Sequence, residues 1–220
     1  MKKFFTVCSF FFLLFFAYAQ QDYSHNVVCK GNQVYLRGFR PMQQKGKTCS
    51  YYSTSMILAY YGYNISPDKL KRKGKNDYLY PNRKCSDFIA QKLNSMGFMY
   101  SYTREKNKDF FCELIKYLID RGIPLRWECN MRFSPIPAER NNSQHARIIT
   151  GYIGKNGITH IFYSDSWGSR HINKIMDVDQ ALKMTFLYGP VFPKRGNQKI
   201  IDDLKNIYDE FQNRKNPPAN

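Results

Sequence analysis

The spacing of apolar residues changes near residue 122 of this 220-residue chain, and that change limits the folds available to it. Before that point, apolar side chains recur at the three- and four-residue intervals typical of helices. After it, they form short β-branched or aromatic runs separated by glycine, asparagine and proline. The sequence therefore predicts helices followed by a mostly antiparallel sheet. This order indicates an α+β fold in which segregated helices pack against a sheet.

The helices and strands are predicted from these two patterns and from the residues that begin and end them. The expected helices are 49–61, a short one opening at Ser66, 86–96 with Ser86 as N-cap, 109–121 with Asp109 as N-cap, 178–183 and an amphipathic one over 200–211, ahead of a flexible tail at about 213–220. The expected strands are 33–36, 123–129, 146–153, 157–164, 172–176 and 185–192.

Residues 1–19 have the order of a secretory signal peptide: two lysines, an apolar run from Phe4 to Phe16, and Ala17-Tyr18-Ala19. The apolar run is shorter than the roughly 20 residues that a membrane-spanning helix needs, so cleavage after Ala19 is favoured over a single-pass anchor. We therefore predict a secreted or periplasmic protein with one domain over residues 20–220.

Basic residues outnumber acidic ones by 34 to 17, which gives a formal charge of +17. Scattered basic residues mostly form a solvated surface, and an anionic partner such as an envelope surface or an acidic substrate is the sharper interpretation. No nucleic-acid recognition motif accompanies the charge, so a specific nucleic-acid partner is not expected. The mean hydropathy of −0.57 argues against a polytopic membrane protein. We also expect the protein to be a monomer.

Cys49 stands at the start of a predicted helix, where backbone N–H groups and the helix dipole favour negative charge. That position, with Lys45 and Lys47 before it, lowers the pKa of a thiol and favours the nucleophilic thiolate. Gln43 lies six residues earlier and can supply an amide that donates to the oxyanion of a tetrahedral intermediate. The alternative is a buried or disulfide-bonded cysteine near a solvated glutamine.

A hairpin in the second half of the chain is expected to bring a histidine and an aspartate together. Lys155-Asn156-Gly157 is a turn signal between two predicted strands, so the start of the first strand lies beside the end of the second. His145 precedes the first strand and Asp165 ends the second. Because a carboxylate can hold the tautomer of an imidazole, this pair can act as a general base, and it is favoured over His160 and His171.

These residues resemble a known family. Gln43, Cys49 with its helix, His145-Ala-Arg-Ile-Ile-Thr-Gly-Tyr and Asp165-Ser-Trp-Gly are similar to the papain-like cysteine peptidases, and most similar to the bacterial branch that includes bacteriocin leader-processing peptidases. Papain has Asn-Ser-Trp-Gly at the last motif, whereas the aspartate here matches the bacterial branch. The resemblance covers roughly residues 41–168 and implies a papain-like fold.

The resemblance implies a role for each matching residue. Cys49 would be the nucleophile, His145 the base, Asp165 the residue that orients it and Gln43 the oxyanion donor, while Trp167 would shield the histidine–aspartate pair from water. Ser50 and Gly168 are further candidates for substrate-binding or supporting positions. The chain departs from the family pattern after the cysteine, where Ser50, Tyr51 and Tyr52 follow, and this difference bears on the shape of the substrate subsites.

Cleavage of the signal peptide would remove Cys8 and leave five cysteines. If Cys49 is a free nucleophile, Cys29, Cys85, Cys112 and Cys129 can form two disulfides in an oxidising compartment, with three possible pairings. The alternative is that they stay reduced and buried. No paired metal-ligand spacing is present, so neither a metal nor another cofactor is expected.

The function expected from the sequence is hydrolysis of peptide bonds in a peptide or protein substrate through a thioester. One rival is acyl transfer to an amine by the same thioester, as in transglutaminase-like enzymes. The other is a non-catalytic, basic surface-binding module on the same scaffold.

Overall fold

The structure is a computed structural model that describes residues 22–71, 83–141 and 144–216. Within these ranges, six helices and eight strands give the predicted α+β class. The helices are α1 (Cys49–Tyr60), α2 (Pro67–Leu70), α3 (Arg83–Ser95), α4 (Lys108–Ile119), α5 (Val178–Met184) and α6 (Gln198–Lys215). The strands are β1 (Val27–Lys30), β2 (Gln33–Leu36), β3 (Phe98–Tyr100), β4 (Leu125–Asn130), β5 (Gln144–Ile153), β6 (His160–Asp165), β7 (Lys174–Asp177) and β8 (Thr185–Pro193). The predicted signal peptide lies outside the described residues.

The sheet is built around β5, and every pairing in it is antiparallel. β4 pairs with the first half of β5 and β2 with its last three residues, while β6 runs along the opposite edge. β8 and β3 extend the sheet beyond β4, β1 extends it beyond β2, and β7 follows β6. The first residues of β5 and the last of β6 therefore lie at one end of the sheet, as the hairpin prediction requires.

Helix α1 is buried on nearly every side. Met56, Ile57 and Leu58 are fully buried, and so are the hydroxyl-bearing Ser53 and Thr54. The two hydroxyls donate to the carbonyl oxygens four residues earlier, at 2.5 and 2.7 Å, so neither of these two groups is left unsatisfied. Because a helix that is enclosed all round belongs to the interior, α1 is a rigid support for the residue at its N-terminus.

Both predicted N-caps of the longer helices are wrong. The side chain that caps α4 is Asn107, whose Oδ1 accepts a hydrogen bond from the Phe110 N–H at 3.0 Å, and Asp109 lies within the first turn. Helix α3 begins before Ser86, whose fully buried hydroxyl donates to Glu128 instead. A cap and a buried partner compete for the same hydroxyl, and packing decides between them.

The ends of the chain differ from the prediction in smaller ways. Helix α6 continues through Lys215, into the region expected to be a flexible tail, and residues 217–220 lie outside the described part. The sequence pattern does not predict β1 or β3, which have four and three residues. Among the described residues, no helix is long and apolar enough to span a membrane.

Candidate active site

Cys49 is the first residue of α1, and the first turn of that helix lacks a side-chain cap. Thr48 occupies the N-cap position, but its hydroxyl donates to the Lys45 carbonyl oxygen at 2.6 Å and caps no backbone N–H. The partial positive charge of the helix N-terminus is thus available to an anion at Cys49. This placement agrees with the sequence prediction.

The pairing of β5 with β6 brings His145 and Asp165 together. Arg147 is the residue that stands directly opposite Asp165 in the ladder, two positions after His145. His145 Nε2 lies 3.8 Å from Asp165 Oδ2, which is an ion-pair distance longer than a hydrogen bond. Both side chains are almost wholly buried, at 3% and 0% exposed, so water screens their interaction little.

The imidazole of His145 also interacts with the Cys49 thiol, and the two groups shift each other's pKa. Burial disfavours the thiolate, but the side chain of His145 and the Ala146 N–H outweigh it and lower the pKa of Cys49. Burial likewise disfavours imidazolium, but the Asp165 carboxylate and Cys49 raise the pKa of His145 above its usual range. The opposite directions favour a thiolate–imidazolium pair.

Asp165 is held by four groups from separate positions. Its Oδ1 accepts the Trp167 backbone N–H at 2.9 Å and lies 3.4 Å from His171 Nδ1, while its Oδ2 lies 3.4 Å from Arg147 Nε and faces His145. Burial alone would raise the pKa of Asp165, but His145, Arg147 and the Trp167 N–H together lower it. The carboxylate is therefore ionised where it meets the imidazole.

The Trp167 ring covers the His145 imidazole where it faces Asp165. Its ring stacks on the His145 ring with centroids 4.2 Å apart and planes 21° apart, and the His171 ring meets it edge-on at 5.6 Å. An apolar ring on the face of an imidazole keeps water away from it. The position fits the shielding role that the resemblance implies.

Gln43 and Gln44 have different surroundings. Gln44 is tied into the fold, since its Oε1 accepts from Ser166 Oγ at 2.6 Å and its Nε2 donates to the Gly46 carbonyl oxygen at 2.8 Å. Gln43 is exposed, and its backbone forms an isolated antiparallel β-bridge with the backbone of Trp167. A Cβ on Gly168 would stand 2.5 Å from Gln43 Oε1, so the side-chain oxygen lies against this glycine, whose φ of +100° also suits glycine alone. This contact leaves Gln43 Nε2 as the side-chain atom that can donate to an oxyanion.

A buried ion pair lies behind Ser50. Arg126 is fully buried, its Nη1 lies 2.6 Å from Glu128 Oε1, and its Nη2 donates to the Ser50 hydroxyl. Nη1 also donates to the Tyr100 hydroxyl at 2.8 Å. The Ser50 hydroxyl is therefore held by interior groups, and this network joins the first turn of α1 to β4.

A model of one protein family matches most of the chain. The description of that family is "Peptidase_C39 like family", and the match covers residues 36–200, which include Gln43, Cys49, His145 and Asp165. The chain belongs to the Peptidase_C39 like family. Membership confirms the predicted papain-like branch and, with the fold, supports a cysteine peptidase.

Two solved structures are similar to this C39-like chain. A protein of Bacillus anthracis described as a C39-like peptidase has a TM-score of 0.50 and 17% identity over 73% of this chain and 98% of its own. The peptidase domain of Streptococcus ComA, a bifunctional ABC transporter involved in a quorum-sensing pathway, has a TM-score of 0.50 and 14% identity over 71% of this chain and 99% of its own. These likenesses show the fold, and it is papain-like as predicted. No curated protein matches the chain.

The structure adds residues to the site that the sequence motifs do not single out. Arg147 and the Arg126–Glu128 pair are charged residues inside otherwise apolar strands, and that anomaly is the one signal the sequence offers for them. His171, the rival of His145, contacts Asp165 from the other side. His160 is placed away from the site, since it pairs with Asp177 and Ile153 at the turn end of β6.

The five described cysteines are all free thiols in the structure. Cys29 is exposed, Cys129 is buried, and Cys49, Cys85 and Cys112 are partly buried. The disulfides expected from the number of cysteines stay a prediction. Among the described residues, no group of three or more histidines, cysteines or carboxylates could hold a metal ion.

Proposed function

We propose that this member of the Peptidase_C39 like family hydrolyses peptide bonds through a thioester on Cys49. The observation that carries the proposal is the arrangement of the His145 imidazole, which interacts with both the Cys49 thiol and the buried Asp165 carboxylate and is stacked on the Trp167 ring. A thiolate beside an imidazolium is both a nucleophile and a proton source, which is what acyl transfer from an amine leaving group needs.

In the first half of the proposed reaction, the Cys49 Sγ attacks the carbonyl carbon of the scissile bond. A C–S bond forms and the carbonyl oxygen becomes an oxyanion. The Cys49 backbone N–H at the start of α1 and the Gln43 amide donate to that oxyanion. When the intermediate collapses, His145 gives its proton to the leaving nitrogen, the C–N bond breaks and the acyl group remains on sulfur.

Water completes the reaction in the second half. His145, now neutral, takes a proton from water as it attacks the thioester carbon. The C–S bond breaks, the carboxylic acid product leaves, and Cys49 returns to the thiolate beside a protonated His145. Asp165 stabilises the imidazolium at both stages, and it remains ionised throughout.

The two rival functions make different demands on the site. A Cys49 disulfide or a His145 far from Asp165 would favour a non-catalytic module; a free thiol and a 3.8 Å separation favour catalysis instead. Acyl transfer uses the same residues and differs only in the acceptor. Product analysis with and without an added amine separates it from hydrolysis.

The decisive experiment is labelling by a thiol-directed epoxide, combined with hydrolysis of a peptide substrate. We expect Cys49→Ala to abolish both. The matched control is Cys29→Ala, because Cys29 is the exposed thiol and lies outside the site. Epoxide labelling of Cys49→Ala at the wild-type rate would refute the assignment.

We also propose that the protein is exported. The support is the signal-peptide pattern of residues 1–19, which lies outside the described part of the chain. Mass spectrometry of the protein from its native host tests this: the expected N-terminus is Gln20, and an intact Met1 in the mature protein would contradict it.

A further inference from the structure

Basic residues are concentrated in three segments around the site, which we call the rim. Residues 37–48 carry Gln43 and end at Cys49, residues 130–141 lead toward His145, and residues 166–174 follow Asp165. These 33 residues contain eight basic side chains and one acidic side chain.

The one acidic residue of the rim does not offset this charge at the surface. It is Glu139, which is 6% exposed and bound to Arg147 Nη2 at 2.9 Å. The rim therefore presents positive charge alone.

The excess of basic over acidic residues is a property of the rim and does not simply follow from the basic composition of the whole chain. Helices α4 and α6, which pack near each other away from the site, have 30 residues in all and carry six basic and six acidic side chains. Several of these are paired, for example Lys199 with Asp203 and Arg214 with Glu113. The face of the molecule that bears these helices is balanced, and the rim is not.

The rim cations next to the site are exposed and carry no ion pair with a described residue. Lys47 is two residues before Cys49, and Arg170 lies between Gly168 and His171. Arg132 comes two residues after the end of β4, where Asn130 pairs with Gln144 beside His145. Lys45 is also exposed, but Asp68, whose pKa is lowered by Lys71 and to a lesser extent by Lys45, offsets part of its charge.

We propose that the rim selects peptide substrates with acidic residues near the scissile bond. The proposal rests on the proposed peptidase function and names its substrate class. Unpaired cations around a site attract anionic ligands and raise their association rate, and the effect weakens as salt screens it. A lipid surface or nucleic acid would meet the same charge, but the rim segments adjoin Cys49, His145 and Asp165 along the chain, and an acidic peptide is the anion that the proposed reaction places there.

The test compares two epoxide probes that label Cys49. Both are epoxysuccinyl peptides of one sequence, with three glutamates in the first and three glutamines in the second. The measured quantity is the ratio of their second-order labelling rate constants, which cancels any change in the reactivity of the thiol itself. In the wild-type full chain we expect a ratio of about 10 at low ionic strength. It should approach one at roughly 0.5 M salt, where the screening length is a few ångströms.

Two triple variants with the same change in net charge complete the design. Lys47→Glu, Arg132→Glu and Arg170→Glu together should bring the ratio below one. The control is Lys155→Glu, Lys194→Glu and Lys205→Glu, which lie in the β5–β6 turn, after β8 and on α6, away from the strand ends that bear the site. This control should keep a ratio within about twofold of the wild type.

The outcomes are distinct. A wild-type ratio near one at low salt, with both probes labelling Cys49, overturns the substrate class and leaves the peptidase proposal standing. No labelling of Cys49 by either probe refutes both. If the rim variant loses binding to phosphatidylglycerol vesicles but keeps the wild-type ratio, the charge serves a membrane surface and the substrate class is wrong.

Discussion

Arg147 Nε lies 3.4 Å from Asp165 Oδ2, nearer than His145 Nε2, which is 3.8 Å from the same oxygen. Arg147 is fully buried, and its Nη2 donates to Glu139 at 2.9 Å, so the guanidinium joins two carboxylates. Its charge helps to lower the pKa of Asp165 but opposes protonation of His145. Arg147 is therefore a positioning residue that anchors the carboxylate and limits how far the pKa of His145 rises.

Replacing Arg147 by methionine should lower the rate of hydrolysis and move the alkaline limb of its pH profile. We expect kcat/KM to fall about tenfold, because Asp165 loses an anchor. Imidazolium loses a repelling charge, so the alkaline limb, where His145 deprotonates, should shift to higher pH. The measurement is the pH dependence of kcat/KM on a peptide that the wild type cleaves.

Arg147→Lys is the matched control for this prediction. It keeps the positive charge but not the planar fork that reaches both Glu139 and Asp165. We expect a loss of rate with little movement of the alkaline limb. If Arg147→Met lowered stability and rate but left the limb in place, Arg147 would be a structural residue alone.

Asp165 should set the width of the active pH range. Activity requires the Cys49 thiolate and the His145 imidazolium, so it rises through the lowered pKa of Cys49 and falls above the raised pKa of His145. Asp165→Asn removes the charge that stabilises imidazolium, so the alkaline limb should move to lower pH and the rate should fall about 100- to 10,000-fold.

The check on Asp165 is epoxide labelling of Cys49 across pH 4 to 10, compared with Asp177→Asn. Asp177 caps α5 and is exposed, so its variant keeps the wild-type profile. An unchanged alkaline limb in Asp165→Asn would show that His145 is held protonated by other groups.

The hairpin that joins His145 to Asp165 could be predicted from sequence because its determinants are local. Lys155-Asn156-Gly157 marks the turn, and the β-branched and aromatic runs on either side of it indicate strands. A turn and two strands of similar length fix which ends meet. The pair of residues at the far end of the hairpin follows from counting back along each strand.

The surroundings of the site could not be predicted in the same way because they depend on distant contacts. Arg126 reaches Ser50 and Tyr100 across separations of 76 and 26 residues. Ser86 looks like an N-cap, but Glu128 in another strand takes its hydroxyl. A charged side chain can be buried within a strand only where the fold places a partner beside it. That partner comes from a distant part of the chain, so the local sequence pattern does not encode it.

Gln43 should matter to turnover far more than its neighbour Gln44. Removing one oxyanion donor lowers kcat by about 100- to 1,000-fold in related chemistry, so Gln43→Ala should lose hydrolysis on that scale. Gln44→Ala removes ties to Ser166 and Gly46, and we expect about 1 kcal/mol of lost stability with kcat within a few-fold. Steady-state kinetics and urea unfolding on both variants measure the contrast. Equal losses of kcat would remove Gln43 from the oxyanion site.

Breaking the buried pair of Arg126 and Glu128 on one side should destabilise the protein near Cys49. Both side chains are almost wholly buried, at 0% and 6% exposed, with 2.6 Å between Nη1 and Oε1. Arg126→Met leaves Glu128 without its cation in the interior, and we expect the free energy of unfolding to fall by about 3–5 kcal/mol.

The double variant Arg126→Met with Glu128→Leu controls for the unpaired charge. Because replacing both partners by apolar residues is often neutral, we expect it to recover most of the lost stability in urea unfolding. Its epoxide labelling separates two roles of the pair. Slower labelling of Cys49 in a stable double variant would mean that Arg126 also fixes the first turn of α1 through Ser50, whereas wild-type labelling would limit the pair to stability.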